Sequence, residues 1–152
     1  VDMNMPGRLE LSYIDENGER REPHMIHRAI LGSVERFIGV LIEHYAGNLP
    51  LWLAPVQVVV ATVTDEAAPY AEEVVEKLQE MGIRAQIDTR NEKINYKIRE
   101  HSIRKVPVIF VAGKREAEEK TLNIRRLGSQ EQEVLNREAA LTQIQIDTQT
   151  PD

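Results

Sequence analysis

VQVVVATV, residues 56–63, is the stretch whose reading decides the fold. It is a near-continuous β-branched run with no polar face to show to water, as expected of a strand covered on both sides. The residues after it change period. TDEAAPYAEEVVEKLQEMG, residues 64–82, sets Tyr70, Val74, Val75, Leu78 and Met81 along one helical stripe and stops at Gly82. IRAQID (83–88) reads as a second strand, INYKIREHSIRK (94–105) as a second helix and VPVIFVAG (106–113) as another buried strand. KTLNIRRL (120–127) alternates, which predicts a half-exposed strand. SQEQEVLNREAALTQI (129–144) reads as a polar final helix with Ser129 as its N-cap, and IDTQTPD as a frayed tail. Strand, helix, strand, helix, strand, strand, helix is an α/β layout, a mixed, mostly parallel sheet with flanking helices.

Upstream the rhythm is different. RLELSYI alternates, DENGE brings turn residues including Asn17-Gly18, and RREPHMI returns, so residues 8–26 predict a β-hairpin with an edge or bulge at Pro23. A helix follows from Ser33 to Tyr45, with Val34, Phe37, Ile38, Leu41 and Tyr45 at helical spacing and Gly47 just past its end. AGNLPLWLAP (46–55) breaks the pattern with two prolines and a glycine and reads as a boundary. Two domains are expected, residues 1–50 and residues 51–152.

The bulk properties narrow the class. A chain of 152 residues holds one domain, or one domain and a piece of another. No apolar run approaches the roughly 20 residues needed to cross a bilayer, and no basic n-region precedes an apolar stretch. With no cysteine, disulfides and thiolate metal sites within the chain are excluded. A cytoplasmic home fits. A net charge of −6 weighs against nucleic acid, except where positive charges cluster.

Two places invite chemistry. On a wheel of about 100° per residue, Gly32, Arg36, Gly39 and Glu43 fall opposite the apolar stripe of the first helix. They read either as a plain exposed face or as a nucleotide-facing one. Two helix-weakening glycines favour close approach of a flat ligand, Arg36 offers a planar cationic fork, and the N-terminus near Ser33 adds free N–H donors. His27 reads either as a hydrogen-bonded strand-end histidine or as a metal ligand, whereas His24 and His44 read as surface residues. The second place is residues 82–105. There Arg84, Arg90, Lys93, Lys97, Arg99, Arg104 and Lys105 outnumber Asp88, Glu92 and Glu100, a local net of +4 in a chain of −6. That is a solvated face or a phosphate-binding surface. Asn91, Arg99, Glu116 and Arg125 carry the amide, guanidinium and carboxylate chemistry that reads unpaired RNA bases.

PHMIHRAILGSVERFIGVLIEHYAGNLPLWLAP resembles the third signature motif of threonyl-tRNA synthetases and the passage into their anticodon-binding domain. The resemblance continues through VQVVVATVTD, RNEKINYKIREHSIRKVPVIFVAGKRE and NIRRLGSQ, and weakens only in the last residues. It implies a class II anticodon-binding domain preceded by the hairpin and helix that end an antiparallel catalytic domain. It implies ATP-dependent attachment of threonine to its tRNA through a threonyl-adenylate, in a homodimeric enzyme that also uses magnesium. His27 would be one of three zinc ligands, with the other two upstream in the family. Gly32, Ser33 and Arg36 would lie against ATP and the adenylate. Asn91, Arg99, Glu116 and Arg125 would read the anticodon of threonine tRNA.

The family's first two signature motifs and its editing region have no counterpart in these residues. The expectation is therefore a C-terminal portion that reads tRNA and does not charge it alone. A free-standing RNA-binding or regulatory paralogue is the alternative, which the presence of His27 and Arg36 argues against. A nucleotide-binding α/β domain unrelated to tRNA would carry a glycine-rich loop after its first strand, and VVVATVTDEAAPY has none.

Overall fold

The structure is a computed structural model that describes residues 1–150, so Pro151 and Asp152 of the expected frayed tail lie outside the described residues. The chain divides into two compact units, Val1–Gly39 and a larger one from Val40 onward.

Polar turn devices hold the first unit together. The Asp2 carboxylate accepts the N–H groups of Asn4 and Met5, both at 2.9 Å, and opens a four-residue helix, α1 (Met5–Arg8), that the sequence did not announce. The hairpin forms, but only β1 (Tyr13–Ile14) and β2 (Arg20–Arg21) pair, antiparallel, with Tyr13 opposite Arg21. The Asp15 carboxylate closes it by accepting from the N–H groups of Asn17 and Glu19 and from the Arg21 guanidinium. Gly18 takes the left-handed turn at φ +79°. The alternation of RLELSYI over-promised because Leu9, Leu11 and Tyr13 find no second layer to pack on and are exposed. A helix, α2 (Val34–His44), begins in this unit. Gly32 is not on its face as the wheel supposed. It precedes the helix at φ +66°, a conformation that itself calls for glycine. Val40 and Ile42 flank the expected stripe, and no residue of α2 is buried.

In the second unit α2 ends with Ala46 and Gly47 both left-handed, and the Gly47 N–H donates to the Ile42 carbonyl. The sheet then assembles from β3 (Val58–Thr62), β4 (Ala85–Asp88), β5 (Val108–Ala112), β6 (Thr121–Arg126) and β7 (Gln132–Asn136) in the order β4-β3-β5-β6-β7. β3 is parallel to both β4 and β5, while β6 and β7 continue antiparallel. The connecting helices are α3 (Ala68–Glu80), entered through a 3-10 turn at Asp65–Ala67, α4 (Ile94–Ile103), a short α5 (Lys114–Glu119) and α6 (Arg137–Asp147).

One expectation fails here. Residues 132–136 are a strand, not the start of the final helix. The unpaired edge of β6 recruits QEVLN, Leu135 sits opposite Leu122, and pairing overrides the helix preference of glutamine and glutamate. Asn136 caps α6 by accepting from the Glu138 N–H at 3.0 Å, while the Ser129 hydroxyl serves a turn, accepting from the Glu131 N–H.

The core has two sides. On one, Val58, Val60, Phe110, Leu122 and Ile124 meet Val74 and Leu78 of α3 and Leu141 and Ile144 of α6. On the other, Val59, Ala61, Ile109 and Val111 meet Ile94 and Ile98 of α4. Burying each such side chain contributes about 1.5–3 kcal/mol. The segment before β3 is fastened by Arg84, whose guanidinium donates to the carbonyls of Trp52 and Ala54 at 2.8–3.0 Å.

Candidate nucleic-acid interface

Helix α4 sets the site, and a buried ionic hub sets α4. Asp88, at the carboxyl end of β4, is 5 % exposed. Its carboxylate accepts from Arg90 Nε at 2.9 Å, Arg90 Nη2 at 2.7 Å and His101 Nε2 at 2.7 Å. Lys97 is 1 % exposed. Its ammonium donates to the Thr62 carbonyl at 2.9 Å and the Asp88 carbonyl at 3.1 Å, stitching together the carboxyl ends of β3 and β4. Arg90 also donates to Glu100, which pairs with Arg104 at 2.7 Å. The Arg90 guanidinium, before any other group, holds the Asp88 carboxyl well below the usual carboxylate range, with His101 adding to it.

This revises the cationic cluster. Of its seven charges, Arg84, Arg90 and Lys97 serve the protein's own carbonyls and carboxylates, and Arg104 is paired. Lys93, Arg99 and Lys105 remain exposed and, among the described residues, make no ion pair.

The four expected base-reading residues occupy one unit but not one point. Asn91 is exposed in the turn between β4 and α4. Glu116 lies in the first turn of α5, where its carboxylate accepts the Gly113 N–H at 2.9 Å, so it is partly committed to capping. A Cβ at Gly113 would stand 2.8 Å from that carboxylate and would push it off the cap. Both residues are at the carboxyl edge of the parallel strands. Arg125 lies on β6 opposite Ile109, hence on the α4 side of the sheet. It lines a depression of about 110 Å³ with Ile98 and Ser102 of α4. Arg99, next to Ile98, is exposed on the same helix. The fold thus places Arg125 in this depression and Arg99 on the exposed surface of the helix that lines it, with Asn91 and Glu116 on separate turns.

The floor beside Arg125 is polar and open. Asn123 shares its face of β6, Gln132 and Val134 sit opposite them on β7, and Val134 is 58 % exposed. Asn123 and Gln132 were not singled out from the sequence. The alternation of TLNIRR, with Leu122 and Ile124 inward, is the signal that put Asn123 on the Arg125 face.

The other expected site is less assembled. Ser33 and Arg36 open α2, and the Ser33 hydroxyl lies 3.4 Å from the Arg36 N–H. Gly32, Ser33 and Arg36 are all exposed, and nothing lies within 4 Å of a Cβ placed on Gly39. His27 Nε2 is 3.3 Å from Asp2 Oδ2. Among the described residues no three His, Cys, Asp or Glu side chains gather to hold a metal ion. His27 and its single carboxylate neighbour therefore do not fit a zinc or magnesium site by themselves.

The chain belongs to the anticodon binding domain family, which matches residues 57–146. Residues 1–45 match the tRNA synthetase class II core domain of the G, H, P, S and T group. Among curated proteins, the chain is similar over all 152 residues to the threonine-tRNA ligases of Parvibaculum lavamentivorans and Mesorhizobium japonicum, each at 59 % identity. It spans only 23 % of their length. A solved structure titled as the RNA binding domain of threonyl-tRNA synthetase from Cryptosporidium parvum Iowa II shares 34 % identity at a TM-score of 0.71, covering 94 % of this chain and 36 % of that one. A prolyl-tRNA synthetase from Cryptosporidium parvum, at 22 % identity and a TM-score of 0.63, covering 94 % of this chain and 32 % of that one, shares the fold.

Proposed function

We propose that this chain acts as the tRNA-reading portion of a threonine-tRNA ligase and recognises the anticodon of threonine tRNA. The observation that carries this reading is the depression beside α4, where Arg125 lies with Ile98 and Ser102 next to an open sheet face and Arg99 is exposed on the same helix. Unpaired bases could enter it edge-on. The exposed Lys93 and Lys105 supply the salt-sensitive attraction to phosphate that a chain of net −6 otherwise lacks. Asn91 and Glu116 extend the reading surface along the carboxyl edge of the sheet. Residues 1–50 and 51–152 divide the work, the first belonging to the catalytic part and the second to recognition.

In the whole ligase the reaction is ATP-dependent attachment of threonine to its tRNA through threonyl-adenylate, in a cytoplasmic homodimer. Gly32, Ser33 and Arg36 would face ATP and the adenylate, with helix N–H groups and a guanidinium meeting negative charge. His27 supplies at most one zinc ligand. Zinc-dependent selection of threonine, and magnesium, need ligands from elsewhere in the assembled enzyme.

The test is binding of the chain to threonine tRNA and to an anticodon-substituted version at one salt concentration, with Arg99→Ala alongside. Arg99→Ala should weaken binding of threonine tRNA by about tenfold or more and leave the substituted tRNA nearly unaffected. Equal, weak binding of both tRNAs by the unaltered chain would overturn the reading and favour a paralogue that keeps the fold for another RNA.

A further inference from the structure

Two buried side-chain atoms lack a hydrogen-bond partner among the described residues, Asn123 Oδ1 and Arg125 Nε. They are two positions apart on one strand, so they share a face and their Cα atoms are about 6.5–7 Å apart. Both look toward the side of β6 and β7 where Gln132 and Val134 are exposed. The Asn123 amide donates from Nδ2 to Gln132 Oε1 at 3.2 Å, which turns Oδ1 away from Gln132. Among the described residues the Arg125 guanidinium makes no hydrogen bond. Each orphaned group costs about 1–3 kcal/mol of desolvation. A strand built only for packing would carry valine or threonine at 123.

We infer that Asn123 is a further base-reading residue, and that with Arg125 it receives a single group presenting one donor and one acceptor, the edge of an unpaired nucleobase. This rests on the RNA-reading function proposed above and adds a residue to it. The chemistry excludes a bare phosphate, whose oxygens would satisfy Arg125 Nε and be repelled by Asn123 Oδ1. A base edge offers an N–H to the amide oxygen and a ring nitrogen or carbonyl to the guanidinium. A ribose 2′-hydroxyl has the same dual character. Arg125 is a long side chain that makes no hydrogen bond among the described residues, so it is free to turn toward an incoming base.

The experiment uses the full chain with Asn123→Val, which suits the strand, and with Asn123→Ala. Both are titrated with threonine tRNA, with tRNAs in which each anticodon base is replaced in turn, and with a 2′-deoxy anticodon version, across a salt series. The expected result is that discrimination falls about tenfold at one anticodon position, the magnitude of a lost base contact. The salt slope stays unchanged and the Asn123→Val melting temperature holds or rises, because an orphaned buried acceptor has been removed. Loss of discrimination confined to the 2′-deoxy tRNA places the same donor and acceptor on the sugar. Unchanged discrimination in the variants overturns the role of Asn123 while leaving RNA reading intact. Equal weakening of every tRNA with a lowered melting temperature makes Asn123 structural and also overturns it. Absence of discrimination in the unaltered chain overturns both readings.

Discussion

The two units spend their apolar residues in opposite ways. From Val40 onward, valines, leucines and isoleucines close over both sides of one sheet, and Phe110 is fully buried. In residues 1–39, Pro6 is the one buried residue, while Ile26, Ile30, Leu31, Val34, Phe37 and Ile38 are exposed. Order there comes from the carboxylates of Asp2 and Asp15 on nearby N–H groups. Apolar content alone therefore does not announce a core. A core needs apolar faces that close on one another, and only the second unit supplies them.

Cutting into the core sharpens the contrast most. Phe110→Ala should cost about 3–5 kcal/mol in denaturant unfolding, because Phe110 is enclosed by β3, β6 and the helices beneath them. Asp88→Asn comes next. It leaves the buried Lys97 without its carboxylate and should cost about 3 kcal/mol. It also carries a pH signature. The folded Asp88 holds its charge to lower pH than the unfolded chain does, so its contribution is present in full above the ordinary aspartate range. As pH falls below about 4 the unfolded state takes up the proton first and that stability is lost. Urea midpoints of the second unit between pH 5 and pH 2.5 should therefore fall more steeply for the unaltered chain than for Asp88→Asn. Smallest is Ile38→Ala, at 48 % exposure, which should change stability by no more than about 0.5 kcal/mol. A cost near 2 kcal/mol would mean that α2 is covered in solution and would erase the comparison.

Legibility followed the same divide. The parallel strands were readable because β-branched runs buried on both faces have no other use, and α3 because Tyr70, Val74 and Leu78 keep helical spacing. β7 was not readable, since QEVLN is polar on one side and earns its strand only from the edge of β6. The short α5 escaped notice because KREAEE has no apolar stripe. In the candidate site, Arg99 and Arg125 stood out in the sequence by their chemistry, and only Arg125 lines the depression beside α4. The burial of Lys97 and the pairing of Arg90 with Asp88 were not legible. Lys97 and His101 stand four apart on α4, but their common partner becomes visible only once Asp88 is known to sit at the carboxyl end of β4.

Lys97 has a consequence beyond stability. Open α/β sheets commonly take small ligands in the crevice at the carboxyl ends of their strands. Here a tethered ammonium already sits over Thr62 and Asp88, held by two main-chain carbonyls. The gap between the carboxyl ends of β3 and β4 is thus filled by the protein's own cation, as a bound ion would fill it elsewhere.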